Sequence, residues 1–108
     1  MDDSAKKLYE MKAEVMQALA HPTRLAIVDL LAQGERCVCD IAERVQSERT
    51  TVSRHLALMQ KAGLLNSRKE GLMVFYSLKT PCVISFFSCI SEVLRQNHEA
   101  TAELLRSL

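Results

Sequence analysis

Two short apolar periodicities separated by three polar residues run from Val38 to Ala62, and this arrangement constrains the fold more than any other feature of the chain. Val38 to Val45 turns Ile41, Ala42 and Val45 to one side, which predicts a short helix. Gln46-Ser47-Glu48 is a compact polar turn, with Ser47 or Thr50 placed to cap a second helix. That second run carries Val52, Leu56 and Met59 at i, i+4 and i+7 up to Ala62, and Gly63 closes it as a helix C-terminal glycine does. Two short helices joined by a tight turn form a helix-turn-helix. Its second helix, from Glu48 through Leu56, buries one narrow stripe and leaves its polar positions for a partner.

The flanking segments complete a small domain. Ser4 to Ala20 repeats Leu8, Met11, Val15, Met16 and Leu19 at mixed three- and four-residue spacing, a helix with one apolar stripe. His21-Pro22-Thr23 interrupts it, since proline disfavours helical geometry in the residue before it and suits a first helical position. A second helix with Leu25, Ile27, Val28, Leu30 and Leu31 follows, until Gly34 ends it as a C-cap residue would. After Gly63, residues 64–69 and Met73 to Leu78 read as two strands around Glu70-Gly71, a β-hairpin or wing. Pro81 opens a final helix with a broad stripe of Val83, Phe86, Phe87, Ile90, Val93 and Leu94, continued more weakly by Leu104 and Leu105. The expected fold is therefore mainly α with a small β-hairpin, a winged helix-turn-helix in one domain over residues 1–108. A chain of this length buries only about 65 % of its unfolded surface. Further burial by oligomerisation is expected, and the first and last helices are the surfaces that predict a homodimer.

Charge is distributed unevenly. From Arg44 to Gly71 there are six basic and two acidic residues, a net +4 that leaves −3 on the rest of a chain whose total is +1. A basic segment on an acidic remainder is the footprint of a nucleic-acid face. A groove-reading helix needs polar side chains on its first turns, which Arg49, Thr50, Thr51, Ser53, Arg54 and His55 supply. Arg54 is the leading base reader, because arginine makes bidentate contacts to guanine. His55 has no base-specific role and faces either phosphate or the domain. Arg68 and Lys69 of the wing suit phosphates, contacts that position without reading sequence. The partner expected is double-stranded DNA. No apolar run is long enough to span a membrane, and Met1-Asp2-Asp3-Ser4 is acidic where a secretory leader is basic, so a cytoplasmic location is expected. There the four cysteines, Cys37, Cys39, Cys82 and Cys89, stay reduced and point to metal binding or redox sensing rather than a disulfide framework.

Several motifs occur together and in order: Ala18 through Leu25 (ALAHPTRL), Cys37-Val38-Cys39-Asp40-Ile41, Val52-Ser53-Arg54-His55-Leu56, Ala62-Gly63-Leu64, and Arg68-Lys69-Glu70-Gly71 with Phe75-Tyr76-Ser77-Leu78. Together they resemble the ArsR/SmtB metal-sensing repressors over most of the chain. The resemblance implies a dimeric winged helix that binds a partly palindromic operator and releases it when an inducer binds. It also implies that Cys37 and Cys39 hold that inducer, at the start of the helix supporting the reading helix. The arsenic-responsive members carry a third cysteine three residues after the second, where this chain has Ala42.

As(III) or Sb(III) is accordingly the first inducer to consider, and it takes three sulfurs. The third would come from Cys82 or Cys89, with Cys89 favoured because it lies in the apolar stripe, from the same chain or the dimer mate. These two lie about 10 Å apart along one helix, so at most one joins each site. Free cysteines also pack as small hydrophobes, an equal reading for both. A four-sulfur Cd, Pb or Zn site and a thiol switch joining Cys37 or Cys39 to the last helix are the alternatives. Glu92, His98, Glu99 and Glu103 do not repeat the spacing of the last-helix zinc site that some members carry. A thiol-dependent arsenate reductase or oxidoreductase is disfavoured, since the chain has three glycines and neither a phosphate-binding loop nor a Cys-x-x-Cys unit. An architectural DNA binder without inducer leaves the paired cysteines unexplained.

Overall fold

The computed structural model describes residues 1–107. Its order is α1 (Asp3–Gln17), α2 (Pro22–Leu31), β1 (Arg36–Cys37), α3 (Val38–Arg44), α4 (Arg49–Lys61), β2 (Leu65–Glu70), β3 (Met73–Leu78) and α5 (Val83–Arg106). No helix is long and apolar enough to cross a membrane among the described residues.

Local chemistry sets most helix starts. Asp2 accepts from the Ala5 N–H at 2.7 Å and begins α1. His21 begins α2, its Nδ1 accepting from the Thr23 N–H at 3.1 Å, with Pro22 at the first helical position. Neither expected cap of α4 is used. Glu48 stands at that position without a side-chain bond, and the Ser47 hydroxyl instead donates to the Val45 carbonyl. The cause is the turn itself: Gln46 takes the left-handed conformation, φ 55°, and the chain swings so that Ser47 faces back along α3.

The helices α1, α2 and α5 are shorter than their sequence patterns predict, α2 ending at Leu31 with Ala32 rather than Gly34 at its cap. The first stops at Gln17, three residues short of the expected Ala20, because the chain turns at Ala18 ahead of Pro22. The last begins at Val83, since Lys79 to Cys82 make the turn in which Val83 N–H bonds back to the Thr80 carbonyl.

The wing is more than a hairpin. β2 and β3 pair from Leu65↔Leu78 to Glu70↔Met73, and β1 adds to the other edge of β3, with Arg36↔Tyr76 and Cys37↔Phe75. Sheet order is β1-β3-β2. The cysteine motif therefore ends a strand as well as starting a helix.

A single cluster holds α2, α3, α4 and the root of the wing together. Ile27, Val28, Ile41, Val52, Leu56 and Met59 are all fully buried there. At about 25 cal/mol per Å² of apolar surface removed from water, each such side chain contributes roughly 1.5–3 kcal/mol. α1 and α5 differ, since neither buries any residue within its own span. Met11, Met16, Val93 and Leu94 stay more than half exposed. An apolar groove of about 500 Å³ between α1, α2 and α5 is lined by Leu19, Leu25, Phe86 and Ile90 among others.

Candidate nucleic-acid interface and thiol site

With Val52, Leu56 and Met59 seated in the core, helical geometry leaves Arg49, Thr50, Thr51, Ser53 and Arg54 on the open side of α4, where all five are exposed. Arg49 and Arg54 have no hydrogen-bond or ion-pair partner among the described residues. Lys69 is also exposed, on β2.

His55 lies elsewhere. Half-buried, it accepts at Nδ1 from the Arg24 Nε at 3.0 Å, and its ring centroid lies 4.5 Å from that of His21. Arg24 also donates to the carbonyls of Gln17 and Ala18 at 3.3 and 3.4 Å. Those carbonyls belong to the end of α1, which has no basic residue of its own in its last turn. A cation there complements the helix dipole. His55 is thus a link between α4, α2 and the end of α1, which corrects its grouping with the groove-facing residues. Burial first, then the neighbouring His21 and Arg24, push its pKa below the ordinary 6.5 and keep the ring neutral.

Arg68 is also engaged. Its Nε and Nη2 donate to Glu35, the closest contact being 2.7 Å, and its Nη1 donates to Glu70 at 2.8 Å. The guanidinium carbon lies 4.6 Å from the Phe75 ring centroid. The Glu35 partner, 33 residues earlier in the chain, has no local sequence signal.

The thiol pair is built by the β1–α3 junction. Cys37 is the last residue of β1 and caps α3, its Sγ accepting from the Asp40 N–H at 3.4 Å. Cys39 lies in the first helical turn, and the two sulfurs are 2.7 Å apart. The thiol of Cys39 donating to Cys37, and then the Asp40 N–H, hold the Cys37 pKa below the ordinary thiol value. The same sulfur contact raises that of Cys39. Arg36 and Arg44 bracket Asp40 at 2.7 and 3.2 Å and keep it ionised, which pins the first turn of α3.

Cys82 and Cys89 are exposed and not joined to this pair. No group of three or more His, Cys, Asp or Glu side chains is assembled for a metal among the described residues. The expected three-sulfur set is therefore not made within one chain as it stands: α5 carries Cys89, Cys82 immediately precedes it, and only two sulfurs meet at the α3 start. In donor chemistry the pair suits a soft, thiophilic ion, one sulfur being already biased to the thiolate.

A basic, exposed helix seated on a tri-helical core beside a three-stranded wing is the architecture of a winged helix-turn-helix DNA-binding regulator. Residues 21–67 match the model of the bacterial regulatory proteins of the arsR family. The arsenical resistance operon repressor of Escherichia coli K12 is 38 % identical over 96 residues, 88 % of this chain and 82 % of that one. A cadmium resistance transcriptional regulatory protein CadC homolog of Staphylococcus aureus is 43 % identical over 77 residues, 70 % of this chain and 64 % of its own length. Among solved structures, the homodimeric winged helix-turn-helix domain of a possible ArsR-family regulator from Mycobacterium bovis superposes with a TM-score of 0.78 at 35 % identity, covering 93 % of each chain. The chain belongs to the ArsR family, and it is a DNA-binding transcriptional regulator.

Proposed function

We propose that the chain is a homodimeric repressor that leaves its operator when As(III) or Sb(III) is taken up by Cys37 and Cys39. The observation that carries this reading is the convergence of the two thiols at the β1–α3 junction, at a helix start, with Cys37 biased to the thiolate. The arsenical resistance repressor of Escherichia coli supports the choice of element. Each thiol that ligates arsenite gives up its proton, which leaves as water with one of the arsenite hydroxyls. The third sulfur is Cys82 or Cys89, brought by the dimer mate or by movement of α5. Arg49, Thr50, Thr51, Ser53 and Arg54 face the major groove, with Arg54 reading a base, and Arg68 and Lys69 hold phosphates.

Coupling has two routes from Cys37. One is α3, which packs on α4. The other is β1, whose Cys37 is paired with Phe75 in the wing. An ion at the thiols acts on both the reading helix and the wing, and a coupling of about 1–3 kcal/mol lowers operator affinity several-fold to about a hundredfold.

The test is a fluorescence-anisotropy titration of the protein on its operator with arsenite, antimonite, cadmium, lead and zinc. Arsenite or antimonite releasing DNA at the lowest concentration, with Cys37→Ser/Cys39→Ser binding DNA but blind to both, is the expected result. A full response in the double variant overturns the ligand assignment. A second reading, release by oxidation, is favoured by the same sulfur proximity; a diamide arm in which DNA is released without metal and rebound after dithiothreitol identifies it.

A further inference from the structure

Four of the basic residues assigned to DNA are Arg49, Arg54, Arg68 and Lys69, and among the described residues Arg68 alone of these is held by carboxylates. Glu35, in the link between α2 and β1, receives its Nε at 3.0 and 2.9 Å and its Nη2 at 2.7 Å, while Glu70 takes its Nη1 at 2.8 Å. The guanidinium carbon lies over the Phe75 ring, 4.6 Å from its centroid, so the group is packed as well as paired. This fork is the one by which arginine grips a phosphate, and carboxylate and phosphate are alternative acceptors for the same donors. Both side chains remain partly open to solvent, 50 % for Arg68 and 34 % for Glu35, so a phosphate can reach the pair and displace one partner.

We infer that Glu35 is an internal competitor for the DNA phosphate that Arg68 takes, setting duplex affinity without itself touching DNA. The inference rests on the reading of the wing as a phosphate-contacting element. Partly exposed ion pairs are weak, so the competition changes affinity by about two- to fivefold and does not abolish binding.

The experiment measures binding of the full chain to a fluorescein-labelled random-sequence duplex of about 30 base pairs, long enough for two half-sites a helical turn apart. Phosphate contacts are independent of sequence, so no operator is needed. Affinity is read by anisotropy across a series of KCl concentrations for the parent, E35Q, R68Q, the double variant, and E43Q. The last removes a negative charge from α3 without touching Arg68. E35Q binds about two- to fivefold more tightly than the parent, beyond any gain in E43Q. R68Q binds more weakly, and its slope of log affinity against log salt is shallower by about 0.9 per lost contact in each protomer. The double variant equals R68Q, because without the arginine there is nothing to compete for. E35D, whose shorter side chain loosens the grip, falls between parent and E35Q. An E35Q that binds no more tightly than E43Q, or an equal gain from E35Q in the R68Q background, overturns the competitor. An R68Q with unchanged affinity and slope defeats the wing reading itself, and the competitor with it.

Discussion

At the scale of single residues, the two members of the thiol pair have opposite characters although they are two positions apart. Cys37 ends a strand and caps a helix, so its sulfur accepts the Asp40 N–H, and the contact between the two sulfurs lowers the pKa of Cys37 while raising that of Cys39. At neutral pH, iodoacetamide therefore modifies Cys37 ahead of Cys39, and Cys39→Ala slows modification of Cys37 several-fold by removing the largest of the contacts that lower its pKa; peptide mass spectrometry of a time course reads both. His55 has a different dependence. Its neutral ring accepts from Arg24, and protonation removes that lone pair while placing positive charge beside Arg24 and His21. With the folded-state pKa lowered, the unfolded chain binds the extra proton more readily, so this contribution is complete above pH 6.5 and is lost as pH falls through the lowered value. Scanning calorimetry from about pH 7 to about pH 5 shows Tm falling, and the fall is shallower in His55→Gln, whose amide oxygen accepts from Arg24 without titrating.

At the scale of elements, the reading helix is held by one stripe and one turn. Leu56 is fully buried at its centre, and Leu56→Ala costs about 2–5 kcal/mol in a denaturant titration. Gln46 carries a side chain in a left-handed backbone, so Gln46→Gly relaxes the turn and gains about 0.5–1 kcal/mol by the same measurement. The stripe was legible in the sequence because burial on a helix repeats every three or four residues; Val52, Leu56 and Met59 announce it. The wing strands around Gly71 were legible for a similar local reason. β1 was not, since two residues carry no periodicity and their pairing is decided by Phe75, far along the chain. Distance in sequence also hid the His55–Arg24 and Arg68–Glu35 bonds, which span 31 and 33 residues. Of the candidate site, residue types and the exposed face of α4 could be read in advance. What each side chain was already bonded to could not. Nor could the separation of Cys82 and Cys89 from the pair, which depends on where α5 lies rather than on what it contains.

At the scale of the whole molecule, the protomer is open: its radius of gyration is 17.3 Å, against roughly 13 Å for a compact chain of this length. The excess comes from α1 and α5, whose apolar stripes are only partly covered within the chain: Val83 and Phe87 pack against the core, while Met11, Met16, Val93 and Leu94 stay open. In the proposed dimer these stripes cover each other, so thermal unfolding depends on concentration, with Tm rising as the protein is made more concentrated; Leu94→Glu abolishes that dependence and sediments as a monomer. The open parts of the two stripes reach into gene control. A lone protomer has one reading helix and an unfinished surface, so the number of competent repressors grows as the square of the protomer supply while dimers are scarce. Halving the copies of the message then cuts occupancy of the operator by nearly four, and a promoter under this protein switches over a narrow range of expression level.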